Sequence, residues 1–188
     1  MSSDINTAHA GRTVAAAPAL ISEYQAALSE AMSLLASNDR VVFLGQGVRY
    51  KGTFMSLTLD HIDPVKRVEL PVMEEAQLGM SIGMSLAGFI PVSIFPRWNF
   101  FVLATNQAVN HLDKMKPHVI VRVGVGSTQP LDPGDQHKGN FADAFRLMMP
   151  STPIVELDHV DKIIPGYRFA LNHKGPSILV EYADSYAN

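Results

Sequence analysis

Short apolar runs alternate with helical stretches along almost the whole of this chain. Residues 41–45, 67–70, 90–95, 119–125, 154–157 and 175–181 read as strands, with Val and Ile dominating the run VIVRVGV. Between them the apolar residues recur at steps of three and four. Leu20, Tyr24, Ala27, Leu28, Met32 and Leu35 are the first such set. Strand–helix alternation of this kind predicts an α/β fold, a three-layer sandwich around a mainly parallel sheet. Residues 1–18 are rich in Ser and Ala, lack periodicity and read as a flexible tail. The domain is expected over 19–188, long enough to bury a sizeable core.

Composition excludes several classes of function. The net charge of −3 gives no electrostatic footprint for nucleic acid or an anionic membrane. There are no cysteines, so disulfides and thiolate chemistry are out, which fits a cytoplasmic protein. No apolar run approaches the ~20 residues that span a bilayer. No secretory signal pattern opens the chain.

The stretch 70–88, LPVMEEAQLGMSIGMSLAG, carries the most specific pattern. Two adjacent carboxylates, Glu74 and Glu75, follow Pro71. Ala76, Gly79, Gly83 and Ala87 then fall on one face of a helix, and Leu78, Ile82 and Leu86 on another. Each glycine costs about 1 kcal/mol against alanine in a helix, so close approach by a neighbour is expected. Both faces are therefore predicted to be buried. Acids in a first helical turn also interact favourably with the helix dipole, with no ligand involved.

Other segments add candidates and remove some. Gly45-Gln-Gly47 begins like a dinucleotide fingerprint, but Tyr50 occupies the third glycine position. Gly52 is followed by Thr53, so the phosphate-loop pattern is missing as well. Phe95-Pro-Arg-Trp-Asn-Phe-Phe101 is unusually aromatic and leads into a helix from about Asn99 to Pro117. Trp98 and Phe101 read as core there. The polar loop 127–140 contains Gln136-His137 and follows a buried strand, a common position for sites. Asp158 or Asp161 is expected to cap the last helix. No Ser-His-Asp grouping and no set with metal-ligand spacing is seen.

Taken together, Pro71-Val72-Met73-Glu74, Gly79, Gly83 and Gly88 resemble the pyrimidine-binding domain of thiamine-diphosphate enzymes. The type is that of 2-oxoacid dehydrogenase beta subunits and, more distantly, transketolases. The loop 45–52 fits, as does Asn106-Gln107-x-x-Asn110-x-x-x-Lys114, where Asn106 stands for the usual Asp. The resemblance implies that Glu74, not Glu75, bonds a ring nitrogen of the cofactor's aminopyrimidine. Val72, Phe100 and Gln107 would complete the cofactor contacts, with Phe100 stacking on the ring. His137 would lie near the reacting carbon. The implied cofactor is thiamine diphosphate. The Gly-Asp-Gly motif and downstream Asn that hold magnesium in such enzymes are absent, so only half a cofactor site is implied. Mg2+ would then be bound by a partner, a diphosphate-binding subunit in an α2β2 heterotetramer. The substrate would be a small carbonyl compound, a 2-oxoacid or a ketose. Arg49, Lys51 and Arg97 are the basic residues available for a phosphate. The alternative is a non-catalytic α/β interaction subunit that keeps the fold.

Overall fold

A computed structural model describes residues 21–50, 53–128 and 132–186. The expected tail, Leu20 and Lys51 lie outside these residues. The described chain begins with helix α1, Glu23–Ala36, capped by Ser22, whose Oγ accepts from the Gln25 N–H at 3.1 Å. Strand β1, Val41–Gly45, follows, then a single helical turn, α2, Phe54–Leu57. Next come β2, Arg67–Glu69, α3, Glu74–Leu86, and β3, Ile90–Phe95. A continuous helical stretch over 98–115, α4, leads to β4, Ile120–Val125. The chain then forms α5, Ala142–Met148, β5, Ile154–Leu157, α6, Val160–Asn172, and β6, Ser177–Tyr182.

The six strands form one sheet in the order β2-β1-β3-β4-β6-β5, and every pair is parallel. Parallel neighbours need a crossover, and the helices supply it, burying both faces of the sheet. Leu28 and Met32 of α1 and Ile163 and Tyr167 of α6 pack on one face. Leu78 and Ile82 of α3, Phe101 of α4 and Phe145 of α5 pack on the other. The architecture is therefore a three-layer α/β/α sandwich. Among the described residues, no helix is long and apolar enough to cross a membrane.

Strand order fixes where a site can open. After β1 the chain crosses to β2 on one side, and after β3 it crosses to β4 on the other. The loops that follow β1 and β3 thus diverge, leaving a crevice above the carboxyl ends of two adjacent strands. Ligands of open α/β sheets bind at such points.

Three expectations need correction. Helix α3 does not bury both faces within this chain. Leu78 and Ile82 are buried, but Leu86 is 66% exposed and Gly79 and Gly83 face outward. A Cβ at either glycine would meet nothing within 4 Å. Only one face of a helix lying on a sheet can contact it, so any cover for the small-residue face has to come from beyond the described residues. Second, the cap of α6 is His159, whose Nδ1 accepts from the Asp161 N–H at 3.4 Å. Third, α4 is not a regular α-helix. It starts as α over Trp98–Phe101, tightens to 3-10 over Val102–Ala104, widens to a π turn over Gln107–Leu112 and ends as α over Asp113–Met115. It stops at Lys116, which takes a left-handed conformation with φ 54°, one residue before Pro117.

The α1/α6 face of the sheet contains a fully buried ion pair. Arg122 of β4 donates to Glu181 of β6 through Nε at 2.6 Å and Nη2 at 2.9 Å. The hydroxyls of Tyr167 and Tyr186 also donate to this carboxylate. Burial favours loss of the Arg122 proton, but Glu181 outweighs it and holds the guanidinium charged well above its ordinary range. Burial, then the Glu181 charge, pushes both phenols upward. Removing one partner strands the other charge in a dry core, so Glu181→Leu should cost about 3–5 kcal/mol. The Arg122→Met, Glu181→Leu double variant should recover most of that. Urea denaturation of the three variants checks both values.

Candidate functional site

The crevice is built from the loops after β1 and β3. Gly45 ends β1 with φ +140°, and a Cβ there would sit 2.3 Å from the Ile94 carbonyl oxygen and 2.8 Å from Gln77 Nε2. Only glycine lets β1 and α3 approach this closely while the chain turns out of the sheet. Gln77, buried on α3, donates through Nε2 to Ser93 Oγ at 3.1 Å and to the Ile94 carbonyl at 2.9 Å. These bonds fix the first turns of α3 against β3.

Glu74 opens α3 and is 3% exposed, whereas Glu75 beside it is exposed. Successive helix residues point about 100° apart, so only one of the two can face inward. Gln46 Nε2 donates to Glu74 Oε1 at 3.0 Å, the one hydrogen bond this side chain makes among the described residues. Its second carboxylate oxygen has no such partner.

Gln46 is itself held by a clamp not singled out from the sequence. Glu69, at the end of β2, accepts three successive backbone N–H groups, from Gly47 at 2.7 Å, Val48 at 2.7 Å and Arg49 at 2.6 Å. Gly47 takes φ +66°, which turns these amides toward one point, and the Leu70 N–H donates to the Gly45 carbonyl at 2.8 Å. The acid–loop–amide–acid chain Glu69, 47–49, Gln46, Glu74 spans non-adjacent segments, which is why local pattern does not reveal it.

Gln46 also lines a cavity of about 240 Å³ with Thr53, Phe54, Pro96, Arg97 and Phe100. Phe100 is half-buried, and its ring meets that of His137 edge-on at 5.6 Å. A 3-10 turn, Asp135–His137, carries His137, whose Nδ1 is buried without a hydrogen-bond partner among the described residues. Gly126 lets this loop close in, since a Cβ there would lie 2.2 Å from the His137 carbonyl oxygen. Glu74, Phe100 and His137, far apart in sequence, thus converge through Gln46 and the cavity wall.

The remaining candidates lie elsewhere. Val72 is 74% exposed, just ahead of α3. Gln107 lines a second, wider groove of about 400 Å³ with Ile82, Gly83, Leu86, His111 and Met115, and its Oε1 is buried without a partner among the described residues. Arg49 is exposed and donates from Nη2 to the Pro64 carbonyl at 3.2 Å. Asn106 is exposed and accepts from Asn110. Among the described residues, no group of three His, Asp or Glu side chains could hold a metal ion.

Comparison with known proteins bears on this arrangement. The beta subunit of 3-methyl-2-oxobutanoate dehydrogenase from Mycobacterium tuberculosis is 25% identical over 134 residues, 63% of this chain and 38% of that protein. The mitochondrial pyruvate dehydrogenase E1 component subunit beta from Chaetomium thermophilum is 33% identical over 109 residues, 55% of this chain and 28% of that protein. Both of these relatives are 2-oxoacid dehydrogenase beta subunits. A split-gene transketolase, solved as an inactive beta4 tetramer, superposes with a TM-score of 0.66 over 86% of this chain and 50% of its own, at 18% identity. The transketolase of Campylobacter jejuni gives 0.67 over 86% of this chain and 26% of its own, at 16% identity. No family model matches. The chain spans well under half the length of these dehydrogenase subunits, resembles them over part of its sequence, and shares its fold with transketolases.

The Glu69 clamp generates a direct test. Glu69→Ala removes the acceptor for three amides at the edge of the sheet, away from both core layers. The fold should persist with a loss of about 1–3 kcal/mol, while the amides of 47–49 lose protection. Hydrogen exchange followed residue by residue should show that loss confined to 45–50 and the first turn of α3.

Proposed function

We propose that this chain is the pyrimidine-binding subunit of a split thiamine-diphosphate enzyme acting on a 2-oxoacid or a ketose. The observation that carries the reading is Glu74. It is a buried carboxylate at a helix start, with one oxygen held by Gln46 and the other without a partner, beside a cavity walled by Phe100. A ring nitrogen that carries or shares a proton fits the open oxygen. A half-buried aromatic face suits a flat heterocycle, because dispersion and apolar burial act together. The Nδ1 of His137, buried without a hydrogen-bond partner among the described residues, is a further polar atom on this side of the site.

When bound, thiamine diphosphate supplies a nucleophilic carbon for attack on a carbonyl. The residues here would do the rest on one side of it. Glu74 holds or returns a proton at the pyrimidine ring. Gln46 and, behind it, Glu69 fix the carboxylate in place. Phe100 orients the ring and keeps water from one face. The His137 imidazole, a group suited to proton exchange near neutral pH, serves the substrate side. The sequence lacks a Gly-Asp-Gly motif, so magnesium and the diphosphate fall to a partner subunit. The relatives that are beta subunits, and the neighbour that is inactive as a tetramer of its beta chains, support an obligate partner.

Glu74→Gln keeps the shape of the side chain but cannot exchange a proton with a ring nitrogen. In the complex reconstituted with the partner, it should slow exchange of the cofactor's reactive-carbon proton by ~100-fold or more, and Glu75→Gln should barely change it. NMR of the exchanging proton gives the rate. Equal effects would mean that the wrong acid has been chosen. No effect from either would favour a non-catalytic interaction subunit.

The same reading assigns the groove between α3 and α4 to subunit contact. Its wall is mostly apolar, with Gly79, Ile82, Gly83, Leu86 and Met115 beside Gln107 and His111, and it is open among the described residues. Because a Cβ at Gly83 meets nothing, Gly83→Leu should leave the isolated chain folded. It should overpack the assembled form, weakening association by about 1–3 kcal/mol. Sedimentation measures the loss, and association equal to wild type would count against an interface here.

A further inference from the structure

Apolar contact alone does not fix where a helix sits along its own axis. Leu78 and Ile82 bury α3 against its layer of the core, but apolar burial is non-directional and tolerates sliding. The start of α3 has no side-chain cap either, since its N-cap position is Met73. Among the described residues, two side chains of α3 tie it by hydrogen bonds to the strands or to the residues leading into them. Gln77, fully buried, donates from Nε2 to Ser93 Oγ at 3.1 Å and to the Ile94 carbonyl at 2.9 Å. Ser85, in the last turn, donates to the His118 carbonyl at 3.1 Å. At the helical rise per residue, the Gln77 tie lies about 5 Å along the axis from Glu74, and the Ser85 tie about 16 Å. Hydrogen bonds weaken steeply with small changes in distance and angle, so the nearer tie fixes the helix start.

Stability alone does not call for an amide at this position. Gln77 Oε1 is buried without a hydrogen-bond partner among the described residues, and a buried acceptor left unpaired opposes folding. Methionine would fill a similar volume with no such acceptor. What the amide adds is a grip at the point where β1 and β3 part. Gly45 pairs with Ile94 there, and a Cβ on Gly45 would stand 2.8 Å from Gln77 Nε2. The next residue after Gly45 is Gln46, whose own Nε2 donates to Glu74. Gln77 thus braces both sides of that bond: the helix that carries the carboxylate and the strand ends from which the amide donor departs.

We propose that Gln77 is a positioning residue for Glu74, locking the start of α3 to the ends of β1 and β3 so that the carboxylate and the Gln46 amide stay in register. It acts through Glu74 and touches neither cofactor nor substrate. The inference rests on the proposed function for what Glu74 does, while the lock itself belongs to the free chain. The full chain, isotope-labelled, is compared by NMR as wild type, Gln77→Met and Ser85→Ala. The first variant keeps the volume and removes the donors. The second cuts the other tie of the same helix, far from Glu74. Gln77→Met should move the Gln46 side-chain amide and the backbone amides of 74–76, and Ser85→Ala should leave them in place. In the complex reconstituted with the partner, Gln77→Met should slow exchange of the cofactor's reactive-carbon proton by about tenfold or more, because a group misplaced by ~1 Å can lose ~100-fold in rate. Ser85→Ala should exchange at the wild-type rate. Unchanged amide shifts in α1 and α6 verify each fold. Should Gln77→Met not fold, Ser93→Ala, which removes one of the two acceptors, should move the same amides by less. The proposal is overturned if those amides stay at their wild-type positions in Gln77→Met, and in Ser93→Ala where that variant replaces it, or if Ser85→Ala moves them equally. Exchange slowed by Glu74→Gln but not by Gln77→Met would overturn it too. Amides that move in Gln77→Met, with exchange indifferent to both substitutions, would sink the cofactor reading alone.

Discussion

Everything in this molecule that bears on chemistry depends on β1 and β3 lying side by side and parallel. Gly45 pairs with Ile94 at their carboxyl ends, and from that point the two chains must part, one toward each edge of the sheet. Loops that diverge cannot fill the space between them. The gap is roofed instead by what reaches it from β2, α3, α4 and the loop after β4. Gln46 and Arg97 stand where they do because they lie within two residues of those strand ends, and Phe100 because it sits in the first turn of α4.

Two buried carboxylates show how the same chemical group is given different tasks. Glu181 is saturated: a guanidinium fork and two phenols take up its oxygens, and nothing is left for a ligand. It joins β4 to β6 and to the helix layer behind them. Glu74 is nearly as buried, at 3% exposed, but receives one neutral amide donor. A carboxylate so sparsely satisfied costs stability unless something else completes it. Sites retain such groups because a ligand can supply the missing partner. The contrast between these two acids, rather than the burial of either, sets Glu74 apart.

Helix α3 serves two surfaces at once. Its Gln77, Leu78 and Ile82 tie it to the sheet, and its N-terminal carboxylate faces the crevice. The opposite face, with two glycines, borders an open apolar groove. Changes at the groove would therefore reach Glu74 through a single rigid element.

The sequence by itself determined the element types and their order. Apolar runs of β-branched residues and the three- and four-residue steps between them locate all six strands and the main helices to within a few residues. That signal is local, because side-chain period follows directly from backbone geometry. The motif at 71–88 also singled out Glu74 over Glu75, and the fold buries the first and exposes the second. Period says which residues share a face but not what that face meets. Only the tertiary structure decided that the glycine face of α3 is open, that Gln107 lines the far groove, and that Phe100 meets His137. The Glu69 clamp and the Arg122–Glu181 pair were likewise invisible, since the members of each pairing are separated by 20 and 59 positions. Contacts at that range exist only once strand order is fixed, and strand order is a property of the whole sheet.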